Sequence, residues 1–276
     1  MHPDDYQTLI HEADALDENA RLLRLFDLEP VLTAEADSPQ KHRALAYIYE
    51  ALGRYQTAFQ HQQTAFDRNN RHDRQNIVRL KNLAGDYGDR FAAKRPLRIT
   101  AELKAALPQF KYCPDPLAAN IFKTQEEAVT CDCCDKPTHI FYTNPFYSRA
   151  NINALCPGCI KSGRAAEKYH GAFVDSGNIS PDIAREKQDE LCHRTPSYAG
   201  WQQEPWPDHC GDYCAFIGYT GWRELEEQGI ADRIEWYGFH QPDSEYLPYI
   251  EAHGSMAGYL FRCLHCGQHV LYVDMD

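Results

Sequence analysis

The stretch CDCCDKPTHIFYTNPFYSRANINALCPGC, residues 131–159, decides the fold expected for this chain. It contains two Cys-x-x-Cys pairs, Cys131/Cys134 and Cys156/Cys159. Two thiolates at this spacing can reach one tetrahedral ion from a single turn, at sulfur–metal distances near ~2.3 Å. The 21 residues between the pairs are enough for a hairpin. The stretch therefore predicts a four-cysteine zinc site.

A second quartet is predicted further along the chain: Cys210, Cys214, Cys263 and Cys266. Its first pair has three residues between the cysteines, one more than the Cys-x-x-Cys turn called a zinc knuckle, and 48 residues separate the two pairs. Because loop-closure entropy grows only logarithmically, this length costs about 1 kcal/mol, against zinc-ligation energies on the order of 10 kcal/mol. His209 and His265 lie beside the pairs and could substitute as ligands. The sequence thus predicts two structural zinc ions; the alternative is buried cysteines without metal.

Three cysteines fall outside the quartets: Cys113, Cys133 and Cys192. Cys133 lies between two predicted ligands and is interpreted as a turn residue or an alternative ligand. Cys192 precedes His193, but side chains of adjacent residues point apart, so this pair is not expected to act as a nucleophile and its base. The polar and aromatic tract 192–212 could line a pocket or pack over the zinc sites. No catalytic or cofactor-binding residue is predicted.

Composition and charge limit the class of protein. The opening MHPDDYQ has neither the basic nor the apolar segment of a secretion signal, and no run approaches the roughly 18 apolar residues of a membrane span. We therefore expect a cytoplasmic protein, off the membrane, whose cysteines stay reduced. The net charge of -12 argues against binding nucleic acid and favours a basic protein partner, unless it serves only solubility.

Two domains are expected from a change of pattern along the chain. Residues 1–95 contain no cysteine and have apolar residues at helical spacing, with breaks expected at Pro30, Ser38-Pro39, Gly53 and Asn69-Asn70. They predict an all-α domain of helical hairpins, with a linker over 86–96. Residues 107–276 predict a cysteine-rich α+β domain with zinc-ribbon-like knuckles. The overall fold class is α+β.

Within the second domain the pattern predicts individual elements. Strands are expected in 139–147, 214–221 and 269–276, where aromatic and β-branched residues are dense. Helices are expected at 149–155, 161–169 and 223–227, and residues 175–208 are expected to be mainly loop.

Residues 41–70, KHRALAYIYEALGRYQTAFQHQQTAFDRNN, resemble one tetratricopeptide unit in the placing of small and aromatic residues such as Leu45, Tyr49, Gly53 and Ala58. Such solenoids generally need about three copies to bury a continuous core, and the sequence has no second clear copy. The resemblance therefore implies TPR-like helical hairpins and no complete solenoid.

A second resemblance rests on several motifs that occur in order within residues 107–276: LPQFKYCPDPL, CDCC, FYTNPFYS, ALCPGCI, GRAAEKYHGAF, HRTPSYAGWQQEPWPDHCGDYCAFIGYTGWREL and YLFRCLHCGQHVLYVDMD. They resemble the CbrC family, which is named for a colicin-tolerance protein. The family pattern has His where this chain has Cys113; both types can bind zinc, so the role of Cys113 stays open. The resemblance implies a cysteine-rich protein of bacterial toxin tolerance, with no enzymatic activity to carry over.

Three classes of function compete. The first is an immunity protein that binds and neutralises a cognate bacterial toxin domain, which is expected to be basic, with a nuclease as one candidate. The second is a zinc-dependent nucleic-acid-binding or regulatory adaptor. The third is a hydrolase or redox enzyme that uses the tract 192–212. The resemblance, the acidity and the lack of a convincing catalytic constellation favour the first, a protein that is not an enzyme.

Overall fold

The structure is a computed structural model that describes residues 3–14, 16, 18–202, 204–238 and 242–275. Small parts of the predicted regions lie outside the described residues: Met1, His2, Ala15 and Asp17 of the helical region, Gln203 of the polar tract and Asp276 of the last strand. The chain divides into two compact units. The first consists of residues 1–98 with 125–127, and the second of 99–124 with 128–276.

The first unit is helical, in agreement with the sequence. Its helices are α1 (Pro3–Asp14), α2 (Glu18–Ala34), α3 (Pro39–Ala51), α4 (Tyr55–Thr64) and α5 (Arg71–Asp86). Helix α3 begins at Pro39 because the Ser38 side chain accepts a hydrogen bond from the Lys41 backbone N–H, which caps the first turn. Asn70 caps α5 in the same way.

Helices α3 and α4 form the predicted hairpin. Gly53 sits in the turn with φ of +69°, and a Cβ atom there would lie 2.5 Å from the Phe91 carbonyl oxygen, so only glycine fits. The turn brings the buried Leu45, Ile48 and Ala58 into one core. The described core of this unit comprises Tyr6, Ala13, Leu25, Phe26, Leu28, Leu32, Ala44, Leu45, Ile48, Tyr49, Leu52, Ala58 and Leu80.

The break expected at Pro30 is wrong, because Pro30 lies inside α2. A proline in a helix interior costs about 3 kcal/mol through a lost hydrogen bond and a steric clash. Leu28 and Leu32, on either side of it, are 4% and 1% exposed. Burying two such side chains contributes about 1.5–3 kcal/mol each, so core packing outweighs the local penalty.

The second unit contains the cysteines. Its helices are α6 (Ala101–Ala105), α7 (Pro157–Lys161), α8 (Arg164–Tyr169), α9 (Arg185–Arg194) and α10 (Trp222–Glu227). Its strands are β1 (Lys123–Thr130), β2 (Pro137–Phe141), β3 (Asp208–His209), β4 (Asp212–Tyr213), β5 (Ala215–Thr220), β6 (Glu235–Tyr237), β7 (Ile250–Glu251), β8 (Met256–Arg262) and β9 (His269–Met275). Strands β1–β2 and β3–β4 form two antiparallel hairpins, and the others form a sheet in the order β5-β8-β9-β6 with β7 beside β8.

The main sheet buries both faces. Side chains alternate along β8, so Tyr259 and Phe261 pack with Tyr198 and Phe216 on one face. Leu260 points to the other face and packs with Leu225 of α10. The expected strands in 214–221 and 269–276 are therefore confirmed as β5 and β9, and the helix expected at 223–227 is confirmed as α10.

One local expectation is wrong, and a second, that residues 175–208 are mainly loop, holds apart from one helix. Residues 149–155 form no helix, because the Asp132 carboxylate accepts hydrogen bonds from the Asn153 and Ala154 backbone N–H groups and holds this segment extended. Residues 175–208 contain the ten-residue helix α9. Of its side chains only Leu191 and Cys192 are buried, so its sequence has almost no apolar period to detect.

No helix in the described part of the chain is both long and apolar enough to cross a bilayer.

Independent folding of the two units stays a prediction. A fragment of residues 1–98 is expected to fold as helix. It lacks residues 125–127 and so loses the exposed ion pairs Arg95–Glu126 and Lys94–Glu127, each worth about 0–1 kcal/mol, and one backbone hydrogen bond between Glu126 and Arg95. A fragment of residues 99–276 is expected to keep its metal. Circular dichroism and elemental analysis of the two fragments test this; insoluble fragments and a single melting transition of the whole chain would mean that the chain is one folding unit.

Candidate metal centres

The first predicted quartet comes together in the structure. The sulfur atoms of Cys131, Cys134, Cys156 and Cys159 all lie within 4.8 Å of one another. The Cys134 and Cys156 sulfurs are 3.9 Å apart. A tetrahedral ion with Zn–S distances of about 2.3 Å requires S–S edges of roughly 3.8 Å. The four thiols therefore have the spacing of a tetrahedral metal site.

Two different local structures present these thiols. Cys131 and Cys134 lie in the turn between β1 and β2, where Asp135 has φ of +59° and lets the chain reverse. Cys156 is the N-cap residue of α7, and Cys159 lies in that helix one turn later. Asp132 joins the two structures through its bonds to the 153–154 backbone, so hydrogen bonds of the protein itself bring the two pairs together.

Hydrogen bonds prepare one thiol for metal binding. Burial alone would raise the pKa of Cys134, but bonds from the Lys136 backbone N–H and from the neighbouring thiols lower it to about 7. Since the thiolate is the form that binds metal, such a group loses its proton at little cost near neutral pH.

A second tetrad also forms, with a different membership from the predicted one. It consists of His209, Cys210, Cys263 and Cys266, whose donor atoms lie within 4.8 Å of one another. His209 Nδ1 lies 3.1 Å from the Cys210 sulfur and 3.4 Å from the Cys266 sulfur. His209 Nε2 lies 3.5 Å from a carboxylate oxygen of Glu235. A carboxylate on the outer nitrogen is the usual way to orient a metal-binding imidazole.

The prediction of Cys214 as a ligand is therefore corrected. Cys210 and Gly211 have φ of +54° and +71°, the two positive values that define a type I′ turn between β3 and β4. This turn puts Cys210 at the tip, with His209 beside it, and sends the chain away through Asp212 and Tyr213. Cys214 is fully buried and burial raises its pKa to about 12, so it is a core residue. The signal that could have revealed this is the x-Gly dipeptide of a two-residue hairpin loop.

The knuckle of the second tetrad repeats that of the first. Cys263 and Cys266 lie in the turn between β8 and β9, and Gly267, with φ of +77°, occupies the position of Asp135. In both knuckles the first cysteine N–H donates to the carbonyl five residues later, to Lys136 at 2.9 Å and to Gln268 at 2.8 Å. Burial would raise the pKa of Cys263, but the backbone N–H groups of Cys266 and His265 lower it to about 6.

His265, the other possible substitute ligand, has a different partner. Its Nε2 lies 3.1 Å from Asp212, a carboxylate that is 2% exposed. Asp212 also accepts hydrogen bonds from Lys111 Nζ at 2.9 Å and from the Tyr112 hydroxyl at 2.8 Å. Burial would raise its pKa, but these donors hold it well below the usual range. This network joins the β3–β4 hairpin to the knuckle that shares its metal site.

The three remaining cysteines are buried and belong to neither tetrad. Burial raises the pKa of Cys113 well above its usual value and that of Cys192 to about 11, so both thiols stay protonated. His193 is exposed, and its Nδ1 bonds to Asp189 at 2.8 Å. Successive residues of a helix point about 100° apart, and Cys192 faces the core while His193 faces solvent. The two do not form a nucleophile–base pair.

Both tetrads fit a tetrahedral transition metal by donor type and number. Sulfur and imidazole donors suit zinc and exclude the oxygen-preferring magnesium and calcium. Four protein donors complete the coordination of a structural site, whereas a catalytic zinc keeps one position for water. The two tetrads therefore have the donor sets of structural centres.

Comparison with known proteins concerns the second unit. The model of the family described as "Uncharacterised protein family (UPF0167)" matches residues 107–275, which include both tetrads. UPF0167 proteins of Mycobacterium bovis and Mycobacterium tuberculosis are each 38% identical to the chain over 176 residues, or 61% of this chain and 93% of theirs. A UPF0167 protein of Pseudomonas aeruginosa is 38% identical over 179 residues, or 62% of this chain and 97% of its own. No solved structure matches the chain.

Proposed function

This chain belongs to the UPF0167 family, and we propose that it is a zinc-clamped immunity protein that binds and neutralises a cognate bacterial toxin domain. The names of its relatives give no activity, so its structure supplies the reasons. The observation that carries the proposal is the closed donor set of both tetrads. Four donors leave no coordination position for a substrate, so the metal serves the shape of the protein. A rigid domain loses little entropy when it docks on a partner.

The metal in this proposal is zinc, one ion in each tetrad. The first tetrad offers four thiolates and the second offers three thiolates and one imidazole, which are common ligand sets of structural zinc. The S–S distance of 3.9 Å in the first tetrad also supports zinc. The eleven cysteines form no disulfide, which suits a reducing compartment, and we propose a cytoplasmic location.

The family relationship is the second support. The motifs that resemble the CbrC family lie in residues 107–276, the part of the chain that the UPF0167 model matches. We propose that the two names denote one family and that colicin tolerance reflects its general role.

A surface suited to a basic partner lies on α10 and the adjoining turn. Glu224, Glu226 and Glu227 are exposed on α10, which packs against the 3-10 turn Leu247–Tyr249. Tyr246 and Tyr249 beside them are 49% and 67% exposed. Tyrosines are favoured at protein interfaces, and clustered carboxylates accelerate association with a cationic partner. We call these five residues the acidic surface.

The test uses the toxin encoded by the neighbouring reading frame. Co-expression is expected to rescue growth, and the purified protein should inhibit the toxin at about one-to-one stoichiometry. Replacing Glu224 and Glu226 by Gln, while keeping Glu227, which is paired with Arg223, should slow association about tenfold and weaken its salt dependence, because the side-chain shapes remain and the charges do not. Stopped-flow binding measures this.

Glu126→Gln/Glu127→Gln is the matched control. Both carboxylates are exposed, but they are already paired with Arg95 and Lys94, so their removal should leave the association rate unchanged. Rescue at strongly substoichiometric amounts, or rescue lost in His193→Ala with binding intact, would favour instead a hydrolase or redox enzyme that uses the tract 192–212. Tight binding to DNA or RNA at physiological salt without toxin binding would replace it by the adaptor.

A further inference from the structure

A small pocket opens on the face of the main sheet that carries Tyr259. Its volume is about 220 Å³. It is lined by Ala199, Gly200, Trp201, Tyr219, Ala252, His253, Ala257 and Tyr259, which we call the aromatic pocket. Pockets for drug-sized ligands span roughly 300–1,000 Å³, so this one suits a single small group. It is separate in sequence from the metal ligands and from the acidic surface.

Aromatic rings form most of its wall, and hydrogen bonds fix them. The Tyr219 ring lies 5.1 Å from the His253 ring and 5.6 Å from the Tyr259 ring, centre to centre. The Tyr219 hydroxyl accepts a hydrogen bond from the Ala199 backbone N–H at 2.9 Å. Trp201 is 54% exposed, yet its indole N–H donates to the Gly254 carbonyl at 3.0 Å, which ties it across the pocket mouth. The polar atoms are thus engaged. Tyr259 is 2% exposed and packs against Tyr198 and Tyr272, so it forms the floor of the pocket, and the rings that a ligand meets are those of Trp201 and Tyr219.

Two buried carboxyl groups lie behind this wall. Asp274 is 3% exposed and Glu204 is 4% exposed. Asp274 is paired in register with Ala257, so it is on the pocket face of the sheet. An Asp274 carboxylate oxygen lies 3.5 Å from the position that a Cβ atom would take if Gly200 were alanine. The Gly200 backbone N–H donates to the Glu204 carboxylate at 3.3 Å. Both carboxyl groups therefore adjoin the pocket at Gly200.

Neither carboxyl group has a basic partner within the described part of the chain. Among the described residues, Asp274 accepts from the backbone N–H groups of Gln202 and Met275, at 2.8 and 2.9 Å. Glu204 accepts from Gly200 and from the Tyr147 hydroxyl. Buried carboxylates are normally paired with a cation, so a cation in the pocket would supply the partner that these two groups lack within the described part of the chain.

We propose that the aromatic pocket binds a substituted ammonium group, held by the rings of Trp201 and Tyr219 and by the carboxyl groups of Asp274 and Glu204 behind the pocket wall. Electron-rich ring faces attract cations, most strongly those of Trp and Tyr when water is excluded. A primary ammonium would need acceptors for three N–H groups inside the pocket, whereas both carboxyl groups lie behind the wall and bond to backbone N–H groups and to a tyrosine hydroxyl. An alkylated ammonium has no such need.

The test compares choline with 3,3-dimethyl-1-butanol, an uncharged molecule of the same shape. By calorimetry or ligand-observed NMR on the full zinc-loaded chain, choline is expected to bind about tenfold more tightly. Trp201→Leu keeps an apolar side chain but removes the ring face, and should weaken choline binding at least about fivefold with unchanged zinc content and melting temperature. Phe66→Leu removes an exposed aromatic of the first unit, outside the pocket and the acidic surface, and should leave choline binding unchanged.

Asp274→Asn adds an independent measurement of the charge. It should reduce the preference for choline over the uncharged molecule by several-fold, because Glu204 and the aromatic rings remain. If this buried variant does not fold, Trp201→Leu still decides. The proposal is overturned if choline and its uncharged analogue bind equally, if Trp201→Leu keeps the wild-type affinity, or if choline does not bind at about 10 mM.

The same ammonium chemistry occurs in free small molecules and in methylated lysine side chains. A short peptide containing trimethyl-lysine provides the second arm of the test. Tighter binding of the peptide than of choline assigns the pocket to a protein ligand; the reverse assigns it to a free metabolite.

Discussion

Removal of both metal ions is expected to unfold the second unit and to leave helices α1–α5 intact. The first site joins the β1–β2 turn to α7, and the second joins the β3–β4 turn to the β8–β9 turn. Structural zinc contributes on the order of 10 kcal/mol, which is comparable to the whole stability of a domain, about 5–15 kcal/mol. Packing alone therefore cannot hold this unit together.

Chelation followed by near-ultraviolet and far-ultraviolet circular dichroism measures this result. The signal of the packed aromatic rings around Tyr198 should be lost, while much of the helical signal remains. Cys131→Ser should remove one of two ions, whereas Cys133→Ala, in the same knuckle but outside the tetrad, should keep both. Fewer than about one zinc per chain, after purification without chelators, would contradict the expectation.

His209→Ala is expected to remove the second ion, and Cys214→Ala is expected to keep it. The two variants decide which residue is the fourth ligand of the second site. The sequence predicted Cys214, whereas the structure brings His209 into the tetrad. Losing one of four ligands should cost several kcal/mol of metal affinity, since the remaining three must be completed by water. Cys214→Ala removes only a buried thiol and should destabilise the fold by about 1–2 kcal/mol.

Elemental analysis and chelator competition measure both variants. His265→Ala is the control for histidine: it should keep both ions and weaken only the Asp212 network. A protein that keeps two ions without His209 but one without Cys214 would show that the observed tetrad is wrong.

Much of the first metal centre was predictable because its geometry is local. A Cys-x-x-Cys turn places its two thiols by itself, and each pair of the first site lies within one turn or at one helix start. The helical hairpin of α3 and α4 was likewise predictable from three positions. Ser38-Pro39 and Asn70 mark the starts of helices, and Gly53 forms the turn between them.

The elements that escaped prediction depend on distant contacts. Pro30 stays in a helix because Leu28 and Leu32 are buried, and 149–155 stays extended because Asp132 binds its backbone. The aromatic pocket brings together residues near 200, 219, 253 and 259, and no local pattern relates them.

The sequence by itself determined that this chain has a cysteine-free helical region and an α+β region whose Cys-x-x-Cys pairs include a four-cysteine site. Only the tertiary structure decided the fourth ligand of the second site. The choice between His209 and Cys214 depends on the backbone of Cys210 and Gly211 and on where a knuckle more than 50 residues away meets them. Residue spacing limits how far a side chain can reach, but the direction in which it points is set by the turn and by the packing around it.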